Sequence, residues 1–368
     1  NTDIVTVSDS GAVTAVGLGE ATITARDTTN GYVAQAIVKV IQNNEKAIAV
    51  PDITQGENFT VVLKADGTVW AMNKAGQLGD GTTTNKTKPV QVKINSKEYL
   101  TGIVEISSGQ DFTIALTKNG EVYAWGNNGY GQLGNGTTTK SVYATKMLKP
   151  DADGTIENVI GIDAGTSSSY LLMKDGTVYA VGWNTRGELG LQNNTNKTLL
   201  NKVLEAENIV RVSAEHSGVS MQTGEGKLLT VGYNLEGELG HNSTTNSANN
   251  DAGRSKNLLW SVVNSTRDGE LQNIVKVEGG THQFIAITED GKAYSWGYNG
   301  QLGTGNKTNY VYPTTMKIGD ASTDITDKVI DVGASRYTTM IKLQDKNGKT
   351  KVYATGLNDK YQFGNGTN

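Results

Sequence analysis

Three histidines, His216, His241 and His282, are the residues of this chain best suited by type to metal ligation or proton transfer. No two of them stand four apart, and none belongs to a zincin pattern, so the spacing that turns two imidazoles toward one zinc ion is missing. His216 and His282 read instead as equivalent loop residues, each following a strand that ends in glycine, and a loop role fits them better than metal ligation. Gly348-Lys349-Thr350 has the ending of a phosphate-cradling loop, but Leu343 stands five residues before Gly348 where that motif needs glycine. There is no Gly-x-Ser-x-Gly elbow, and a chain with 0 cysteines has no thiolate nucleophile, disulfide or thiolate metal site. Asp66-Gly67, Asn119-Gly120, Asp175-Gly176, Asp290-Gly291 and Asn347-Gly348 each bring one side-chain oxygen donor, whereas a calcium cage takes several; a tight turn needs only the dipeptide. The sequence therefore assigns no catalytic residue, no metal and no cofactor, and the chain reads as a non-enzyme.

What those dipeptides do is clearer in their surroundings. From Thr113 to Thr137, TIALTKNGEVYAWGNNGYGQLGNGT alternates apolar and polar residues and turns at Asn119-Gly120. It alternates again through Val122 and Ala124, then bends through Gln132-Leu133-Gly134. That pattern predicts a β-hairpin with a type I′-like turn and a bent exit. It returns as VVLKADGTVWAM, LLMKDGTVYAVG, SMQTGEGKLLTVG, AITEDGKAYSWG and IKLQDKNGKTKVYATG, so the chain is a repeat protein. The leucine of the bend recurs as Leu78, Leu133, Leu189, Leu239 and Leu302, with Phe363 in the sixth slot, at intervals of 55, 56, 50, 63 and 61 residues. Such a period suits four strands per unit, a propeller blade, with an outer strand such as Pro89 to Ile94 closing each unit. In the first and fifth units the loop from Val69 to Leu78 and from Ala293 to Leu302 is two residues shorter than from Val122 to Leu133. An Asn- and Ser-rich insertion between Asn242 and Asn273 carries Leu258, Leu259 and Trp260, read as an outer strand between long loops.

Among the 368 residues, 45 glycines and 4 prolines fit many tight turns and little helix. A net charge of −4, with 33 Lys and Arg scattered along the chain, leaves no electrostatic footprint for nucleic acid. No apolar run of about 18 residues is present to span a membrane. The opening Asn1-Thr2-Asp3-Ile4-Val5 reads like the middle of a strand-bearing domain, so the chain is expected to be part of a larger multidomain polypeptide.

Residues 1–41 hold four strand-like runs, Ile4 to Val7, Ala12 to Val16, Ala21 to Ala25 and Tyr32 to Val40. The stretch VTVSDSGAVTAVGLGEATITARDTTNGYVAQAIVKV resembles the second half of a bacterial group 2 immunoglobulin-like domain, which implies a surface or secreted protein. Residues 42–47 (Gln42-Asn43-Asn44-Glu45-Lys46-Ala47) read as a polar linker. From there on, the recurring Val-Tyr-Ala-Trp-Gly-x-Asn and x-Gly-Gln-Leu-Gly-x-Gly-Thr steps resemble the regulator of chromosome condensation repeat family. The expected fold is thus all-β, a β-propeller of four-stranded blades over residues 48–368 plus a partial immunoglobulin-like β-sandwich over residues 1–41. The family resemblance implies seven blades where six units are visible. The expectation is that the native chain continues past Asn368 to supply the seventh; in the alternative, Ala47 to Val50 would close a six-bladed ring.

Tyr123, Trp125, Tyr179, Tyr294, Trp296 and Tyr353 recur inside the strand motif and are expected to pack between blades. Binding residues are sought elsewhere. Antiparallel strands return to where they began, so the loop before the first hairpin strand and the loop after the second emerge at one end. The first set comprises Asn58, Phe59, Asp111, Phe112, Ser168, Tyr170, His216, His282, Gln283, Arg336 and Tyr337; the second comprises Trp183, Tyr233 and Tyr298. Aromatic and polar side chains that vary on a repeated frame suit a protein- or glycan-binding face. The expected function is a non-catalytic interaction or structural module of a bacterial secreted or cell-surface protein. The repeat also resembles that of the β-lactamase-inhibitor propeller type, so a secreted enzyme inhibitor is the alternative, and guanine-nucleotide exchange, known in the eukaryotic branch of the family, comes behind both.

Overall fold

The computed structural model describes residues 3–9, 11–27, 29, 33–41, 48–74, 76–216, 218–244, 259–319, 323–335 and 337–367. Every regular element among them is a β-strand, and no helix long and apolar enough to cross a membrane occurs among them. The expected linker at 42–47, Leu258 and Arg336 lie outside the described residues. The chain divides into two compact units. One comprises Asn1–Ile23, Ala36–Thr185 and Asn194–Val212; the other comprises Thr24–Gln35, Arg186–Asn193 and Ser213–Asn368.

The first unit carries three four-stranded sheets, each built from consecutive strands. They are Asp52–Gln55, Phe59–Leu63, Val69–Asn73 and Lys86–Gln91; Ile103–Ser108, Phe112–Thr117, Val122–Gly126 and Ser141–Lys146; and Val159–Ala164, Ser168–Met173, Val178–Gly182 and Lys197–Lys202. The fourth sheet, Ile209–Ala214, Gly218–Thr223, Leu228–Gly232 and Trp260–Ser261, begins at the division. Trp260 pairs with Thr230, so the insertion does deliver an outer strand. The second unit adds the sheet Ile274–Gly280, Gln283–Thr288, Ala293–Gly297 and Tyr310–Thr315. A three-stranded sheet of Lys328–Ala334, Thr338–Gln344 and Thr350–Gly356 completes it. In residues 1–41 four strands occur where expected, Val5–Val7 pairing with Val13–Ala15 and Gly19–Arg26 with Val33–Val40. Ile48 and Ala49 donate their amides to the Ala65 carbonyl in the first sheet's hairpin loop.

The six hairpin tips share one turn, and it is not the type I′ turn that the dipeptides imply. Gly120 N–H returns to the Thr117 carbonyl at 3.0 Å while Thr117 pairs with Glu121 at 2.9 Å, and the same two bonds recur around Gly67, Gly176, Gly226, Gly291 and Gly348. The loop therefore has three residues, a type I turn followed by a left-handed glycine, and only the glycine needs positive φ (82° at Gly120). The side chain before it works as an acceptor: Asp66 Oδ1 takes the Thr68 amide at 3.1 Å and its hydroxyl at 2.7 Å.

The bend after each hairpin anchors the core. Leu78, Leu133, Leu189 and Leu239 are fully buried and Leu302 nearly so, which puts the repeated leucine at the centre of each unit's packing. Trp125 and Trp296 are buried as expected, and their indole N–H groups donate to the carbonyls of Gln77 (3.1 Å) and Glu238 (2.8 Å) in the preceding bend. Asparagine two residues after the strand-ending glycine holds the bend together. Asn128 Oδ1 accepts the Leu133 amide at 3.0 Å, and its Nδ2 donates to the Thr137 carbonyl at 2.9 Å; Asn234 does the same for Leu239 and Ser243.

Candidate functional site

The two loop sets do share one end of each hairpin, and hydrogen bonds tie them together. The amide just after the second strand donates to the carbonyl just before the first: Lys74 to Asn58, Asn127 to Asp111, Trp183 to Ser167, Tyr298 to His282 and Leu357 to Tyr337, at 2.7 to 3.1 Å. The backbone of this end is thus fixed while the side chains at the two positions change from unit to unit.

Five residues of the expected loop sets are not on that surface. Phe112 and Tyr170 are 0% exposed and Phe59 is 2% exposed. Phe59 and Phe112 open the first hairpin strand, opposite Asn73 and Gly126, and their rings turn back over the glycine three residues earlier. A Cβ built at Gly56 would lie 1.9 Å from the Phe59 ring, and one at Gly109 would lie 2.1 Å from the Phe112 ring. The glycine just after the preceding strand is therefore the seat of a core aromatic. Tyr170 is the third residue of its strand, opposite Ala180, and lies deeper still. Ser168 and Gln283, which take the same strand-opening position as the phenylalanines, are buried too.

In the first unit, Asn58 is exposed, and Asp111 is half-buried with Lys74 Nζ 3.1 Å from its carboxylate. Half-buried Trp183 meets Tyr130, whose ring centroid lies 5.9 Å away and which is 42% exposed. Tyr130 escaped the sequence reading because it sits inside the glycine-rich bend rather than beside a strand.

The second unit gathers more. The Arg186 guanidinium lies 4.2 Å from the centroid of the Tyr233 ring, the Tyr233 ring 5.4 Å from that of His282, and His282 5.3 Å from His216. These four half-buried side chains form one row. His216 and His282 are not equivalent, contrary to the sequence reading. The carbonyl of His282 accepts Tyr298 as that of Asp111 accepts Asn127, whereas Glu215 bonds Gly218 as Gly109 bonds Phe112, placing His216 one position earlier. Their rings meet nonetheless. His282 Nδ1 is 2.9 Å from Glu238 Oε1, and its amide donates to Glu215 Oε2 at 3.2 Å. Tyr298, 37% exposed, and half-buried Tyr337 also belong to this unit.

Glu238 and Glu188 stand where other units carry glutamine in the bend, and both are buried. The second oxygen of Glu238 accepts the Glu236 amide at 2.9 Å, as Glu188 accepts that of Arg186. The hydrogen bond to Glu238 raises the pKa of His282 against the opposing effect of burial, and the charges of Glu215, Glu238 and Glu236 add to it. Burial pushes the Glu188 carboxyl up to about 7. Burial likewise raises the Tyr233 phenol. Among the described residues, no group of three or more histidines and carboxylates is placed to hold a metal ion. The row can hold a proton and present edge-on and tilted rings and a guanidinium, which is equipment for binding.

A family model described as the RCC1-like domain matches residues 2–341, a span that includes the stretch resembling an immunoglobulin-like domain. The chain is 27% identical over 338 residues to the ultraviolet-B receptor UVR8 of Arabidopsis thaliana, covering 86% of this chain and 67% of that protein. It is 24% identical over 339 residues to the E3 ubiquitin-protein ligase HERC2 of Homo sapiens, covering 90% of this chain but 5% of the ligase. An RCC1 repeat-containing protein of Dictyostelium discoideum matches over 164 residues at 29% identity, 42% of this chain and 33% of that protein. Much of the length of the last two thus lies outside the match. Among solved structures, Prp20p of Saccharomyces cerevisiae superposes with a TM-score of 0.64 at 20% identity, covering 93% of this chain and 82% of that one. Human WBSCR16 gives 0.62 at 19%, covering 86% and 79%. These likenesses show the fold, in which the four-stranded sheets are propeller blades.

Proposed function

The chain belongs to the RCC1-like domain family, and from that premise we propose that it is a non-catalytic protein-binding module whose partner sits on the loop-lined end of the hairpins. One observation carries this reading: a hydrogen-bonded backbone frame repeats from unit to unit while the paired side chains on it change. They run from Asn58 and Lys74, through Asp111 and Asn127, to His282 and Tyr298. Repeated framing with varied aromatic and charged tips gives specificity without rebuilding the fold. Prp20p, a protein of similar fold, has binding properties toward Gsp1p and histones, so a protein partner has precedent on this architecture. The resemblance of residues 1–41 to a bacterial immunoglobulin-like domain supports a secreted or cell-surface setting for that binding; fractionating the source cells with an antibody to this chain tests it.

The binding reading is tested by placing a photo-crosslinking amino acid at Trp183 and Tyr298, on the loop-lined end, and at Asp175 and Asn347, on the hairpin tips. Partner adducts are expected from the first pair and not from the second. Adducts from the tips alone would move the binding surface to the opposite end and overturn the reading.

A further inference from the structure

In the second unit the charges at the loop-lined end are layered. Glu238, Glu188 and Glu215 are 0%, 1% and 5% exposed, so the carboxylates lie beneath. The side chain of Glu236, half-buried, is engaged by the Asn309 amide. Above them run the guanidinium of Arg186, the Tyr233 ring and the imidazoles of His282 and His216. Glu238 occupies Nδ1 of His282, which leaves Nε2, on the far edge of the ring, to meet whatever approaches.

The backbone of His282 adds a second, independent sign. Its φ of 61° is left-handed, while Asn58, Asp111 and Ser167, at the same position in other units, are not. A non-glycine residue in that region persists where its surroundings hold it there. Here the Glu215 bond to its amide and the Glu238 bond to its ring do so.

Resting on the binding reading above, we propose that the Arg186–Tyr233–His282–His216 row is a docking site for an acidic segment of a partner protein, with His282 bound in its protonated form. A partner carboxylate would take the guanidinium and the Nε2–H of the imidazolium as charge-assisted donors, and its alkyl stem would lie on the Tyr233 ring. The groups facing His282 fix the direction of the pH effect. Glu238, Glu215 and Glu236 favour its proton, whereas the aromatic neighbours Tyr233 and His216 shield it from water. Binding then weakens as pH rises through the His282 pKa, which these carboxylates hold above its ordinary value.

The test uses the full chain, isotope-labelled for NMR, with acetylated hexaglutamate and hexalysine peptides as probes. Hexaglutamate is expected to shift the Arg186 and His282 side-chain signals at acid pH, its affinity dropping by up to about tenfold per pH unit above the His282 pKa. Arg186→Ala, and His282→Asn, which keeps a residue tolerant of left-handed backbone, should each weaken it about tenfold. Lys351→Ala, on an exposed strand position away from the row, should leave it unchanged. Hexalysine shifting the same signals, or hexaglutamate binding equally well to both row variants, overturns the proposal. Cross-linking from Trp183 and Tyr298 without hexaglutamate binding would leave the binding reading standing and sink this one alone.

Discussion

His282 Nδ1 lies 2.9 Å from a Glu238 carboxylate that is itself wholly buried, and the hydrogen bond between them lifts the histidine's pKa. A histidine whose folded pKa exceeds its unfolded value stabilises fully below the unfolded value, near about 6.5, and loses that contribution as pH rises through the folded value. Glu238→Gln should therefore lower the denaturant midpoint most near about pH 6 and least near about pH 9. A loss that is the same at both pH values would show that the pair carries no proton linkage.

Glu188 runs the other way in chemistry though not in sign. Its folded pKa of about 7 exceeds the 4.5 of an ordinary glutamate, so the cost of its buried charge appears as pH rises between those values. Glutamine fills the same slot at Gln77, Gln132, Gln301 and Gln362, so it fits the bend. Glu188→Gln is expected to stabilise by about 3 kcal/mol at pH 8 and by almost nothing at pH 4, measured by chemical denaturation. Destabilisation at pH 8 would mean that partners in the bend offset the cost of the carboxylate.

Phe112 and Leu133 should behave alike on truncation. Both are 0% exposed, so Leu133→Ala is expected to cost about 2–5 kcal/mol and Phe112→Ala about 3–5 kcal/mol. Normal stability of Phe112→Ala in urea unfolding would return that ring to the surface.

Two glycines with similar backbone but different surroundings separate conformational strain from crowding. Gly300 has φ of 85° and open space where a Cβ would go; Gly240 has φ of 65° and a Cβ there would lie 2.7 Å from Trp296 Nε1. Gly300→Ala should cost about 1–2 kcal/mol, the left-handed penalty alone. Gly240→Ala should cost more and shift tryptophan fluorescence, because the indole that donates to Glu238 must move. Equal costs would show that the indole gives way freely.

The strands were legible because their signal is local. Alternation marks each hairpin, an Asp-Gly or Asn-Gly pair marks five of the six, and in the first five units the leucine of the bend follows within 9 or 11 residues of the start of the second strand. The turn type was misread because the dipeptide is shared by two- and three-residue loops; the extra residue becomes visible only when Thr117 is seen to pair with Glu121. The candidate face was half legible. Hairpin geometry brought the two loop sets to one end, as the backbone bonds between them show, but counting residues placed Phe59, Phe112 and Tyr170 in the loop when the strand had already begun. Arg186 and Tyr130 were missed because what brings them to Tyr233 and Trp183 is contact between successive repeats, to which a single repeat's pattern is blind. Asn128 and Asn234 carried a signal that could have been read, since asparagine keeps its place two residues after the strand-ending glycine.

Each of the five four-stranded sheets among the described residues is made of strands consecutive in the chain, and even the fourth keeps Trp260 opposite Thr230 across its insertion. A strand's partners are thus encoded by its immediate neighbours in the gene. Duplication or deletion of one uninterrupted segment would add or remove a whole set of pairings without reassigning any other. The Thr/Asn-rich link before the outer strand is where such a gene can lengthen with least disturbance, and there the fourth unit has done so.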